Sequence, residues 1–286
     1  MRFDDRHEVV VTGPWTQEMA DAVESGVADR VVLNHALGFE EPDLRFLEHL
    51  PVRELVVLDR RISDLAPVYT LAPRLELLHL TVDAGVRVDV AELPRLHDLS
   101  ATWAQVEATI GAGQQLRRVA LDSYKPEDLT PLAGLKNLSE IAMKDRPKIR
   151  SLAGLGELVL LTDLGLYAAS ELSDVSELRD RDLLRTLYLQ ACPKLGTVDD
   201  LAGCTGLRKL NIAEGGDLAS AAPLGGLVAL EELYAYGSTR FVDGDLSPLA
   251  GLPRLVELRL QSRRHYRPKV PDLRASLAAR ADEPRG

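Results

Sequence analysis

Two thiols, six imidazoles and seven phenols are the side chains of this 286-residue chain best suited to chemistry or recognition. A catalytic or metal-binding use needs them at particular spacings. Cys192 and Cys204 are too few for a disulfide framework or a metal cluster. The histidines His7, His35, His49, His79, His97 and His265 never fall in a His-x-x-x-His or similar ligand pattern. No serine sits in a Gly-x-Ser-x-Gly elbow, and no glycine-rich loop ends in Lys-Ser or Lys-Thr. Gly111-Ala-Gly113 reads as a turn. Cys192 reads as a small buried packing residue rather than a nucleophile, and Cys204 likewise. The sequence therefore points to no catalytic set, no cofactor and no metal, and a non-enzymatic protein is expected.

What must position the remaining candidates is a repeat. A Leu-x-x-Leu-x-Leu pattern, with other aliphatic residues substituting, places its middle position at Leu55, Leu78, Leu99, Val119, Ile141, Leu164, Leu187, Leu210, Leu233 and Leu258. The intervals are 23, 21, 20, 22, 23, 23, 23, 23 and 25 residues, too regular for chance. Val31 marks an earlier copy, 24 residues upstream. Alternation of Leu-x-Leu puts both leucines on one face of a short strand. A single unit cannot bury its leucines, so the units must stack into one continuous core.

The spacing over residues 31–262 resembles the leucine-rich-repeat family. The segments Asp64-Leu-Ala-Pro-Val68, Asp128-Leu-Thr-Pro-Leu132 and Asp245-Leu-Ser-Pro-Leu249 are similar to the short bacterial repeats of the internalins. That resemblance implies an α/β repeat solenoid: a horseshoe with a parallel concave sheet of about 10–11 short strands. One departure matters. The family carries Asn or Cys five residues after the middle leucine, and here only Cys192 fits. The turns must satisfy their backbone groups in another way, water being one.

Residues 1–30 read as an N-terminal cap, with a strand over 8–12 and an amphipathic helix over 15–26 burying Met19, Ala22 and Val23. Residues 263–286 read as a basic C-terminal cap and tail, with a helical stretch from Leu273 to Ala281 and a frayed end over 282–286.

Register then predicts the concave side chains. Four of the seven tyrosines, Tyr167, Tyr188, Tyr234 and Tyr236, fall there, all in the C-terminal half. Tyrosine brings large contact area with a polar tip and is enriched in binding hot spots. Gln190, Asn211, Glu214, Arg259 and Gln261 are expected around them, with His79, Trp103, Arg263 and Arg264 as secondary candidates. A protein- or peptide-binding module is the expected function, with an inhibitor, immunity or adaptor role open. Two alternatives are an accessory or enzyme in peptide modification that grips a substrate peptide, and nucleic-acid binding through the basic C-terminal segment.

The formal net charge of −10 disfavours nucleic acid and anionic membrane and suits a basic partner. Met1–Glu8 is charged and lacks an apolar signal core, and no apolar run approaches the ~18 residues that span a bilayer. A cytoplasmic, bacterial, monomeric protein is expected.

Overall fold

The computed structural model describes residues 2–4 and 7–281, so the frayed end expected over 282–286 lies outside it. The chain forms two compact units, Met1–Asp122 and Ser123–Gly286.

The first unit holds strands β1 (Arg2–Asp4), β2 (Glu8–Val11), β3 (Arg30–Asn34), β4 (Glu54–Leu58), β5 (Leu77–Thr81), β6 (Asp98–Thr102) and β7 (Arg118–Asp122), hydrogen-bonded in that order. Only the β1–β2 pair is antiparallel; the pairs from β2 onward are parallel. Between β2 and β3 lies the N-terminal helix Gln17–Glu24, whose Thr16 hydroxyl accepts from the Met19 N–H and which buries Met19, Ala22 and Val23. The helix is shorter than its 15–26 pattern because Thr16 caps it.

The second unit holds β8 (Glu140–Lys144), β9 (Asp163–Tyr167), β10 (Thr186–Gln190), β11 (Lys209–Asn211), β12 (Asp217–Leu218), β13 (Glu232–Ala235), β14 (Arg240–Phe241) and β15 (Glu257–Leu260). Its main parallel sheet runs β8-β9-β10-β11-β13-β15, and β12 pairs with β14 beside it. Among the described residues, eleven repeats carry a main-sheet strand, β3 to β11, β13 and β15. The strands keep the register of the sequence repeat: Leu164, Leu187, Leu210, Leu233 and Leu258 are successive partners.

Leucines at these positions, and two residues on, are buried. Most coils return through one helical turn, and the β3–β4 and β6–β7 connections carry two. The Asp of each Asp-Leu-x-Pro segment starts such a turn: Asp64, Asp128 and Asp245 accept from the N–H two residues on, at 2.8, 2.9 and 2.8 Å. The hydrogen bond explains why Asp stands there, since it closes the turn just before the helical turn in which proline is the second residue.

No uniform asparagine ladder joins the coils. A mixed one does. Gln105, buried, donates to the Asp83 carbonyl, and Thr239, buried, donates to the Ile212 carbonyl. The Cys204 thiol lies 3.1 Å from the Leu178 carbonyl oxygen, and the Tyr266 hydroxyl accepts from the Phe241 N–H at 3.0 Å. Each of these bonds reaches one coil upstream. Side chains, not water alone, satisfy the turns.

The residue leaving the strand is left-handed after β7, β8, β9, β10, β11 and β13: Ser123, Asp145, Ala168, Ala191, Glu214 and Gly237 have φ of 54° to 68°. The N–H of such a residue donates along the stack. Ala168 bonds the Gln190 carbonyl, Ala191 the Ala213 carbonyl and Glu214 the Tyr236 carbonyl. The cost for a non-glycine residue, ~1–2 kcal/mol, is offset by a backbone bond that would otherwise be lost.

The last coil is closed by the helix Val270–Ala281, longer at its start than the 273–281 pattern. Val270, Leu273 and Leu277 are buried on its inner face.

Candidate binding face

Strand alternation sends the residues between the core leucines to the opposite face of the sheet. In the second unit this open face carries the tyrosines that the register predicts. Tyr167 on β9 and Tyr188 on β10 have ring centroids 6.0 Å apart, tilted by 32°. The Lys144 ammonium lies 5.9 Å from the Tyr167 centroid. Tyr167 folds back over Gly165, where a Cβ would stand 3.0 Å from its ring. The missing side chain is what lets the ring lie down. Burial, with smaller effects from Tyr188 and Glu140, raises the Tyr167 phenol above its ordinary pKa.

A second aromatic group stands on β13. The Arg259 guanidinium lies 5.0 Å from the Tyr234 centroid. Tyr234 donates to Glu232 at 3.0 Å. Desolvation, then the carboxylates of Glu232 and Glu257, push this phenol up to about 12. Tyr236, at the exit of the same strand, is exposed. With β11 between them, β10 and β13 place the two aromatic groups ~10 Å apart.

Polar residues fill the interval. Asn211 donates to the Gln190 side chain at 3.2 Å and accepts from the Ala213 N–H at 3.0 Å. Asn211 is only 8% exposed, so its main work is to hold the turn and orient Gln190. Ala213, which the register also places on this face, is fully buried because β11 ends early. Glu214 lies over Gly237 and accepts from the Ser238 N–H. Gln261 is exposed beyond β15.

The secondary candidates are scattered. His79 belongs to the first unit, where it lies 2.9 Å from Asp98, itself 3.1 Å from Arg118. Trp103 does not line the open face. It begins the helical turn Trp103–Val106 and is 5% exposed. Asp59 and Val82, at the equivalent place in their coils, are buried too. Arg263 donates to the carbonyls of Gly237, Ser238 and Thr239. Arg264 is exposed, and its carbonyl accepts from Arg267 and Lys269. Arg274 and Arg280 likewise bond the carbonyls of Leu258, Leu260 and Leu252. Much of the basic C-terminal segment therefore caps backbone.

Sequence reasoning missed one whole column. The residue before each middle leucine also faces the open side, and period-two alternation carried one step backward would have found it. In the second unit it holds Glu140, Asp163, Thr186, Lys209, Glu232 and Glu257. Lys209 pairs with Glu232 at 2.8 Å and Arg259 with Glu257 at 2.7 Å. Glu140 and Asp163 are direct cross-strand partners of like charge. The face thus joins flat aromatic surface to a carboxylate-rich border.

Cys192 and Cys204 are fully buried, and burial pushes their thiols up to about 12 and about 11. A thiolate nucleophile would need the opposite. Among the described residues no three His, Cys, Asp or Glu side chains stand together as a metal site, and no helix is long and apolar enough to cross a membrane.

No protein-family model matches the chain, and no curated protein matches it in sequence. Solved structures do resemble it. An internalin from Listeria monocytogenes aligns with a TM-score of 0.63 and 16% identity, over 91% of this chain and 83% of that one. The functional domain of InlJ from the same organism, which includes a cysteine ladder, aligns at 0.55 and 18%, over 81% and 52%. The plant peptide hormone receptor RGFR1, in complex with RGF2, aligns at 0.52 and 19%, over 78% and 38%. The chain thus spans about half of the InlJ domain and less of the receptor. These likenesses establish the fold.

Proposed function

We propose that this leucine-rich-repeat solenoid is a protein- or peptide-binding module that works through the open face of its second unit. The observation that carries the reading is the pairing of two aromatic groups, Tyr167–Tyr188 and Tyr234–Arg259, on neighbouring strands of one sheet face. Stacked aromatic rings give contact area at low entropic cost. Gln190 offers amide hydrogen bonds between them. The net charge of −10 favours a basic partner. That a plant receptor of similar fold was solved in complex with RGF2 supports the mode of use. An inhibitor, immunity or adaptor role in the bacterial cytoplasm is the finer form of the proposal. Two unpaired buried thiols suit a reducing compartment.

The test is affinity capture from the native lysate with the parent chain and with the Tyr188→Ala, Tyr234→Ala double variant. Melting of both proteins is measured alongside. Loss of a captured basic protein at unchanged melting temperature supports the reading. Unchanged capture with lowered stability overturns it.

A further inference from the structure

A hollow of about 320 Å³ opens in the first unit and is lined by Arg53, Pro73, Arg74, Glu76 and Arg95. The three arginines come from successive coils at intervals of 21 residues. They surround one carboxylate. Arg53 donates to both Glu76 oxygens, at 2.9 and 3.0 Å, and the Arg95 guanidinium lies 3.7 Å from the same group. Glu76 therefore fixes two guanidiniums side by side. Asp29 and Glu54 also act on Arg53, so Arg53 is well balanced. The Arg74 guanidinium has no hydrogen bond or ion pair among the described residues. With Arg53 answered by the Glu76 carboxylate and by Asp29 and Glu54, the Arg74 and Arg95 guanidiniums are the two cations left to meet a ligand.

We propose that this hollow binds a phosphate-class dianion, between Arg74 and Arg95. Two charges match these two guanidiniums, whereas a single carboxylate leaves one of them unanswered. Planar guanidiniums bond phosphate oxygens in pairs, a geometry that a lysine cluster lacks. A second hollow of about 340 Å³ shares Pro73 and Arg74 and continues past Thr70, Leu71 and His49 to Glu24. Its mixed lining suits the chain that flanks a phosphorylated side chain, and Glu24 keeps the anion at the arginine end. Inorganic phosphate and a phosphorylated peptide share the recognised chemistry.

The test is calorimetric titration of the full chain with inorganic phosphate, against chloride at matched ionic strength. A phosphoserine peptide, its unphosphorylated form and its glutamate form provide the other arms. Arg74→Gln and Arg95→Gln weaken phosphate binding tenfold or more, the effect of one charge-assisted hydrogen bond. Glu76→Gln strengthens it severalfold by removing the competing anion, a direction that mere structural damage would not give. Arg264→Gln, in the other basic cluster, changes nothing. Tighter binding of the phosphopeptide than of phosphate identifies a phosphorylated protein as the source, and equal binding identifies the free ion. The proposal is overturned if phosphate binds no better than chloride, if Arg74→Gln binds like the parent, or if the glutamate peptide matches the phosphopeptide.

Discussion

Thr239 donates its hydroxyl proton to the Ile212 carbonyl oxygen across 2.6 Å, one coil upstream. The Thr239 hydroxyl oxygen in turn accepts from the Gly215 N–H at 2.9 Å, so one fully buried side chain closes two backbone groups of the preceding turn. Gln105, Cys204 and Tyr266 make comparable links elsewhere. The stack is held by a ladder whose rungs differ chemically but share one task, to leave no buried backbone group unpaired.

Thr239→Val keeps the shape and removes both bonds. It orphans a buried N–H and a buried carbonyl, and the expected loss is about 2 kcal/mol or more. Thr239→Ser keeps the hydroxyl and loses one methyl group, roughly 1 kcal/mol. Urea unfolding of the two variants checks the order. A serine variant as unstable as the valine variant would assign the effect to packing instead.

Ala191 holds φ at 57°, a conformation that strains any side chain with a Cβ. Ala191→Gly relieves ~1–2 kcal/mol of strain. It returns roughly 0.4–1 kcal/mol through the looser unfolded chain. A net gain of about 0.5 kcal/mol is expected, read as a higher denaturation midpoint at unchanged slope. At Ala101, on strand β6 and buried, the same change is expected to destabilise.

Much of this was legible from spacing alone. The leucine register fixed the strands, the coil count and the position of Tyr167, Tyr188, Tyr234 and Tyr236. Trp103 does not reach the open face because the residue leaving the strand is left-handed after β7 to β11 and β13 but not after β6, and a column of sequence positions does not carry φ. The column of Glu140 to Glu257 mixes Glu, Asp, Thr and Lys and carries no periodic signal of its own, so only alternation taken one step back from the middle leucine places it on the open face. The arginines of the C-terminal segment read as a charged patch, yet Arg263 and Arg274 reach carbonyls 14 to 26 residues away, a partnership that local sequence cannot reveal.

Gly165→Ala sets a methyl group 3.0 Å from the Tyr167 ring. The ring end is free to swing, so stability is expected to change by less than about 1 kcal/mol. The displaced ring gains solvent, and burial is the main cause of its raised phenol pKa. Absorbance titration of the variant should show that phenol moving down toward its ordinary value. No movement would mean that the ring does not rest on Gly165.

Acid should weaken the first unit through two carboxylates. Arg61 beside Asp59 holds that carboxyl below its ordinary range. At Asp98 burial opposes ionisation, but the hydrogen bond from His79 and the charges of His79 and Arg118 outweigh it, so this carboxyl also titrates low. A depressed folded pKa adds stability above the unfolded value, roughly 3.9. That stability is lost as pH falls through the folded value. Stability measured from pH 5 down to 2 should fall along that path, and Asp98→Asn should flatten part of the fall. An identical profile in the variant would remove Asp98 from the account.

Arg274 closes the open edge of β15, with its Nε donating to the Leu258 carbonyl and one Nη to the Leu260 carbonyl, both at 3.0 Å. Strand β15 pairs with β13 on its other side, so these carbonyls would otherwise be offered to any arriving strand. Arg274→Met keeps the aliphatic length that lies along the sheet and removes the donors. The residue is exposed, which limits the stability loss to about 1 kcal/mol. The larger effect falls on self-association: light scattering during chromatography should show dimers or larger species that the parent lacks at the same concentration. A strictly monomeric Arg274→Met would leave the apolar cover of Leu273 and Leu277 as the sole guard of this edge.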